Sequence, residues 1–137
     1  MSFSDDIKRF KAKAEQAAAN VFRGTALDIF GRIVKRTPVG KPSEWKNPSG
    51  APPGYVGGRL RANWQVEFNH IPVGVIDSTT QTGEDKKIMH AKIGDSIYII
   101  NNLEYAPAIE HGHSKQAPAG MVKITAREFK QIVNKNK

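Results

Sequence analysis

Residues 57–68 read Gly57-Gly58-Arg59-Leu60-Arg61-Ala62-Asn63-Trp64-Gln65-Val66-Glu67-Phe68. Trp64, Val66 and Phe68 alternate with Gln65 and Glu67, the period-two pattern of a strand with one buried face. The glycines break whatever precedes them, and Gly58 to Asn63 reads as a short helical turn leading into the strand. A sheet that is apolar on one side needs a second layer to cover it. The segments on either side of this stretch must therefore supply helices.

Upstream, residues 4–36 read as one long helix, or as two with a bend near Gly24. Ile7, Phe10, Ala14, Ala17 and Val21 recur at spacings of three and four, and Phe22, Ala26, Ile29 and Ile33 continue on a rotated stripe. Ser4 is a candidate N-cap, Asp5 and Asp6 suit the positive end of the helix dipole, and Lys35 and Arg36 suit the negative end. Pro38 disfavours helical geometry at Thr37, which predicts a stop at Arg36. Gly24 and Gly31 each weaken the helix by about 1 kcal/mol relative to Ala. Unbroken, it would span roughly 50 Å, long enough to pack on neighbours as well as on its own sheet.

Residues 37–58 form an extended arm that holds five of the eight prolines (Pro38, Pro42, Pro48, Pro52 and Pro53). A loop this long is functional or disordered. Trp45 and Tyr55 argue for an ordered arm buried against its own chain or against a neighbouring subunit.

Downstream, Pro72 ends the first strand, and residues 73–85 are polar and turn-rich. Lys86 to Lys92 is a candidate strand, and Asp95 to Asn101 is the clearest one, with Ile97, Tyr98, Ile99 and Ile100 in sequence. Tyr105 to His111 reads as a short helix stopped by Gly112, and Gly120 to Asn134 as the final helix. The expected architecture is one α+β domain over residues 1–137. In it an antiparallel hairpin or meander is packed on one face by the long N-terminal helix and the C-terminal helix, with a long Pro/Gly-rich loop between.

The chain has 137 residues, 21 Lys and Arg, 13 Asp and Glu, a net charge of +8 and no cysteine. Disulfides and thiolate metal sites are thereby excluded. The charge is uneven. Residues 1–64 hold 12 basic against 5 acidic groups, residues 65–118 hold 4 against 7, and residues 119–137 hold 5 against 1. Such asymmetry suits ordinary solvated faces, charge pairing between subunits, or proximity to DNA. No signal peptide or membrane span is expected.

Catalytic patterns are lacking. Glu110, His111 and His113 place two histidines and a carboxylate together, but the His-x-His spacing across a glycine does not match a zinc pair on a helix, and a helix end whose imidazole meets the last carbonyls explains it better. No G-x-S-x-G stretch or phosphate-cradling loop is present. Glu84 and Asp85 read as solvated. No enzyme activity, metal or cofactor is expected. Arg59 and Arg61 flank Leu60 near Trp64, where one of them suits a structural ion pair with Glu110 and the alternative is a clamp on phosphate or on a neighbour's carboxylate. Tyr105, before Ala106 and Pro107, suits a core tyrosine at a strand–helix turn that also rims an interface.

The ordered set Thr37-Pro38-Val39, then Arg59-Leu60-Arg61 with Trp64, then Tyr105-Ala106 with Glu110 and Gly112 resembles the tail-completion proteins of tailed bacteriophages, also called tail-terminator, neck or head–tail joining proteins. In that family a helix ends in TPV, a glycine precedes RLR-x-x-W, and YA-x-x-x-E-x-G follows a strand. The likeness covers nearly the whole chain. It departs in the longer loop between Val39 and Gly57, at His111, and at residues 117–122. The resemblance implies a structural virion protein that forms a ring, commonly hexameric, at the head-proximal end of the tail. Its implied partners are further copies of itself, the tail-tube protein and the head–tail connector, with packaged DNA in the lumen. The candidate interface or structural residues are Trp45 and Tyr55, read from the arm itself, and Arg59, Arg61, Trp64, Tyr105 and Glu110, which lie in the matching motifs. The alternative from another class is a basic nucleic-acid-binding module.

Overall fold

A single helix, α1 (Phe3–Arg36), forms the backbone of the computed structural model, which describes residues 2–137. Its cap lies two residues earlier than Ser4. Ser2 is the N-cap, accepting from the Asp5 amide at 3.2 Å while its own backbone and hydroxyl donate to the Asp5 carboxylate, a reciprocal capping box. The helix does not break at Gly24. It ends as expected, because Thr37, held before Pro38, is extended at φ −75° and ψ 125°.

Two antiparallel strands follow, β1 (Trp64–Phe68) and β2 (Ile97–Asn101), with Trp64 opposite Asn101, Val66 opposite Ile99 and Phe68 opposite Ile97. The sheet has these two strands among the described residues. Residues 86–92 are not a third strand. Glu84–Ile88 forms a helix, α3, which packs on β1. The reason lies in Glu84, which is buried rather than solvated. Its carboxylate accepts from the Val66 amide at 2.9 Å and from Lys87 Nζ at 3.0 Å, occupying the edge of β1 where a third strand would pair. Ile88, fully buried, then faces the core.

Short helices complete the chain: α2 (Arg59–Ala62), α4 (Ala106–Glu110), α5 (Val122–Ala126) and α6 (Phe129–Lys135). The expected final helix over 120–134 is thus bent into α5 and α6. The bend brings Thr125 and Glu128 onto Arg36 of α1. Arg36 donates to Thr125 Oγ1 at 2.9 Å and grips both Glu128 carboxylate oxygens, at 2.5 and 3.0 Å. Arg32 adds a contact to Glu128 at 3.2 Å and a hydrogen bond to Asp28 at 2.8 Å, and Lys135 reaches Asp28 at 3.6 Å.

The core joins Phe30 and Ile33 of α1 to Trp64 and Val66 of β1, Ile88 of α3, and Leu103, Ala106, Ala117 and Met121. Full burial of each large side chain contributes about 1.5–3 kcal/mol. Only the C-terminal half of α1 takes part. Residues 2–18 are all exposed, so Phe3, Ile7 and Phe10 have no partner within the chain.

The Arg36–Glu128–Arg32 cluster makes stability depend on acid. Hydrogen bonds from Arg36 and then Arg32, outweighing desolvation, hold the Glu128 carboxyl at about 2, below its ordinary 4.5. A depressed carboxyl stabilises the fold fully above its unfolded value and loses that contribution as pH falls towards the folded value. We expect the urea midpoint to drop between about pH 4.5 and 2. Glu128→Gln should lower it at neutral pH and flatten this part of the profile. An unchanged profile in the variant would show that other carboxyls carry the acid sensitivity.

Candidate functional site

Thr37 ties the two ends of the first motif pair together. Its side chain is fully buried, donates to Ile33 O at 2.6 Å and accepts from Trp64 Nε1 at 2.7 Å. Arg61 completes the junction, with Nε donating to Thr37 O at 2.6 Å and Nη2 to Lys35 O at 3.1 Å. These carbonyls are among the last of α1, which lack intrahelical donors and lie at the negative end of its dipole. Arg61 is therefore a C-terminal cap delivered from the far end of the 37–58 arm.

The expected pairing of Arg59 or Arg61 with Glu110 does not occur. Glu110 accepts from the amides of Met121 and Val122 at 2.8 Å each and from Lys123 at 2.9 Å, the unpaired donors at the start of α5. Burial pushes its carboxyl up, but these three amides outweigh that and hold it below the ordinary carboxylate range. Gly120 makes this possible. It is left-handed at φ +85°, and a Cβ there would lie 2.8 Å from a Glu110 carboxylate oxygen. Both Glu110 oxygens are thus committed, and His111 Nδ1 lies 2.8 Å from Pro107 O. No grouping of three or more metal-ligating side chains occurs among the described residues.

Arg59 and Arg61, two positions apart on α2, point to opposite sides, as about 100° per residue requires. Arg61 turns to α1. Arg59 lines a groove of about 1090 Å³ between the arm and α4. Trp45 and Tyr55 form one wall, in edge-to-face contact with ring centroids 5.2 Å apart and planes at 71°. Tyr105 and Ile109 lie opposite, above Leu60. Tyr105 is 44% exposed, a rim residue rather than a core one. Burial nevertheless raises its hydroxyl pKa, against the lowering pull of Arg59. Lys41, Lys46 and Lys115 add positive charge around the opening, with Glu44 beside them.

The arm is therefore held by its own chain. Gln116, on the far side of the groove, accepts from the Val39 amide at 3.1 Å and donates to Val39 O at 2.8 Å. Where the arm rejoins the body, Gly58 is left-handed at φ +113° and packs on the Thr79 backbone too closely for a side chain. Asn63, fully buried, donates to Arg59 O and Ile76 O and accepts from the Ile76 amide at 2.7 Å, tying α2 to the loop beyond β1. Of the sequence-predicted site residues, the structure gathers Trp45, Tyr55, Arg59 and Tyr105 at the groove. It places Arg61 and Trp64 at the Thr37 junction and Glu110 at the start of α5. Thr37, Asn63 and Gln116 were not foreseen. Thr37 carried a usable signal, since a threonine between a helix stop and a proline sits beside carbonyls that need donors.

Comparison with known proteins found no matching family model, no matching curated protein and no matching solved structure. Among the described residues no helix is long and apolar enough to cross a membrane.

Two mutational contrasts test this geometry. Thr37→Val leaves the buried indole N–H of Trp64 without an acceptor and should cost about 1–3 kcal/mol in urea unfolding followed by tryptophan fluorescence, whereas Thr37→Ser should lose much less. Arg61→Ala should cost about 1.5–3 kcal/mol, because two charge-assisted hydrogen bonds disappear. Arg59→Ala should stay within about 0.5 kcal/mol of the parent. Equal losses for the two arginines would overturn the assignment of Arg61 as the cap.

Proposed function

We propose that this chain is a structural protein of a tailed bacteriophage. In this reading it forms an oligomeric ring, hexameric by analogy with the family it resembles, at the head-proximal end of the tail. It ends polymerisation of the tail tube and joins the tail to the head connector. It is assembled in the host cytoplasm and retained in the neck of the virion, with packaged DNA passing through the ring. Its mechanism is burial and charge pairing between copies, not catalysis.

The observation that carries the reading is that the separated motif segments meet in space. TPV and RLR-x-x-W join through Thr37, Arg61 and Trp64. The arm between them and the Tyr105–Gly112 segment face each other across one groove. The first two motif segments are thus joined directly, and the third borders the same groove. A second feature in its favour is the unpaired apolar stripe on the first half of α1, which a lone subunit would leave in water.

The alternative nucleic-acid-binding module draws on Lys8, Arg9, Lys11 and Lys13, all exposed on α1. DNA binding by the isolated protein with a steep salt slope would favour it. Electron microscopy of tails assembled with and without this protein tests the main proposal. Overlong or connector-incompetent tails are expected in its absence. Normal tails, or a strictly monomeric chain by native mass spectrometry even with tail tube present, would overturn it.

A further inference from the structure

We infer that two copies of this chain join along the free edge of β2, pairing β2 with β2 antiparallel about a two-fold axis into one four-stranded sheet. The contact goes beyond the ring reading and does not rest on it, since a two-fold contact joins copies in pairs and closes no cyclic ring by itself.

Backbone parity shows which groups are free. In an antiparallel pair, residues that bond the neighbouring strand alternate with residues whose N–H and C=O point away from it. Asn69 donates to Ser96 O at 2.8 Å, so these two form a bonded pair. With Phe68 opposite Ile97 and Val66 opposite Ile99, Tyr98 and Ile100 are also bonded positions, and Ile97, Ile99 and Asn101 turn their N–H and C=O outward. Val66 shows the same parity from β1. Its amide donates to the Glu84 carboxylate at 2.9 Å and its carbonyl accepts from Lys87 Nζ at 3.3 Å, both away from β2. Glu84 and Lys87 thereby seal the outer edge of β1. The edge of β2 has no such cover. The outward backbone groups of Ile97, Ile99 and Asn101 have no hydrogen-bond partner among the described residues, and every residue of β2 is part-exposed. Free edges are ordinarily blunted by a charge, a proline or a bulge, and Ile97-Tyr98-Ile99-Ile100-Asn101 carries none of these.

The edge selects a second copy as its occupant. One edge of the sheet is sealed and the other open, so strand addition between copies must set β2 on β2. A two-fold axis at Ile99 places Ile99 opposite its own equivalent and Ile97 opposite Asn101 of the other copy. All of these are outward positions, so the pairing satisfies every free N–H and C=O of the three residues on both sides. No charged residue occurs from Ser96 to Leu103, so no like charges meet across the axis. On the face away from the core, Tyr98 stands opposite Ile100 of the other copy, twice, an aromatic–β-branched pair of the kind that stabilises sheets. Gly74 O accepts from Gln65 at 2.9 Å and from Asn102 at 3.0 Å, which sets the 71–75 loop on this face at the end of β2. Ile71, Val73 and Val75 in that loop are all exposed, so apolar surface borders the edge, as it does where proteins meet.

Amide exchange of the full chain, followed by NMR at high and low protein concentration, tests the pairing. The Ile97, Ile99 and Asn101 amides should be protected at high concentration and exchange about tenfold faster or more on dilution, while Tyr98 and Ile100, bonded to β1, stay unchanged. Protection of all five at every concentration would mean that the edge is sealed within the chain, and would overturn the inference. So would fast exchange of the three in protein that sedimentation shows to be paired, or in protein that stays monomeric. Protection that appears only on adding tail tube or DNA would assign the edge to that partner instead of a second copy. Because the chain has no cysteine, engineered thiols report the register. Tyr98→Cys protein mixed with Ile100→Cys protein should form a disulfide, since these positions face each other closely across the axis, and neither variant alone should do so. No cross-link in the mixture, or cross-links in one variant alone, would overturn the pairing about Ile99. Tyr98→Lys should weaken the pair about tenfold or more, and Ile100→Glu protein mixed with it should restore pairing. Both side chains lie outside the core, so an unchanged melting temperature will show that the variants are folded. Tails that fail without this protein, while its β2 amides never gain protection, would overturn this contact and leave the tail reading standing.

Discussion

The fold depends on satisfying the carbonyls at the C-terminal end of α1. A long helix that stops at a proline leaves unpaired acceptors at the edge of the core. Thr37 and Arg61 resolve this together: the threonine hydroxyl donates back to Ile33, and the guanidinium donates forward to Lys35 and Thr37. The same hydroxyl accepts the indole of Trp64, the first residue of β1. One buried junction thus sets the helix end, the position of α2 and the start of the sheet. Hydrogen bonds in such a setting cost far more when left unmade than they contribute when formed. That asymmetry lets so few atoms hold the separate elements in register.

The arm is the stretch of chain that joins the two ends of this junction. Once Thr37 and Arg61 are fixed, residues 38–58 only have to leave and return, and prolines reduce the conformational freedom lost in doing so. The arm is tied to the body through Gln116 and braced internally by the Trp45–Tyr55 contact, without entering the core. Its aromatic rings remain part-exposed, facing Tyr105 across the groove. A fixed scaffold carrying an ordered, aromatic-lined excursion is the usual way a fold presents a recognition surface.

The other end of α1 has the opposite character. Its C-terminal half is locked by the core and by the Asp28–Arg32–Arg36–Glu128 cluster, while its N-terminal half touches nothing in the chain. Isolated helices of this length are marginal in water. The capping box and continuity with the packed half support the free part, and the apolar stripe it carries gains nothing until it is covered. The contrast between a buried, ion-paired half and a capped, bare half divides the chain into a body and a projecting helix end.

Much of the architecture was legible in the residues alone. The spacing of apolar positions, Pro38 and the Trp64–Phe68 alternation are local signals, and they located α1, its stop and β1. The Ile97–Asn101 strand and the short helix before Gly112 were readable for the same reason. Local patterns failed where a distant group decided the outcome. Residues 86–92 gave up strand pairing because Glu84 satisfies the edge of β1. The terminal helix bends at the point where Arg36 engages Glu128. Glu110 was expected to meet an arginine and instead receives three amides at the start of α5, because those donors are fixed, close and otherwise unpaired. The sequence by itself determined α1 and its stop, both strands and the short helix before Gly112, since these depend on side-chain periodicity and on proline and glycine geometry. Only the tertiary structure decided which polar groups pair, and so which surfaces remain open, because a buried donor or acceptor is satisfied by whatever the fold brings within about 3 Å.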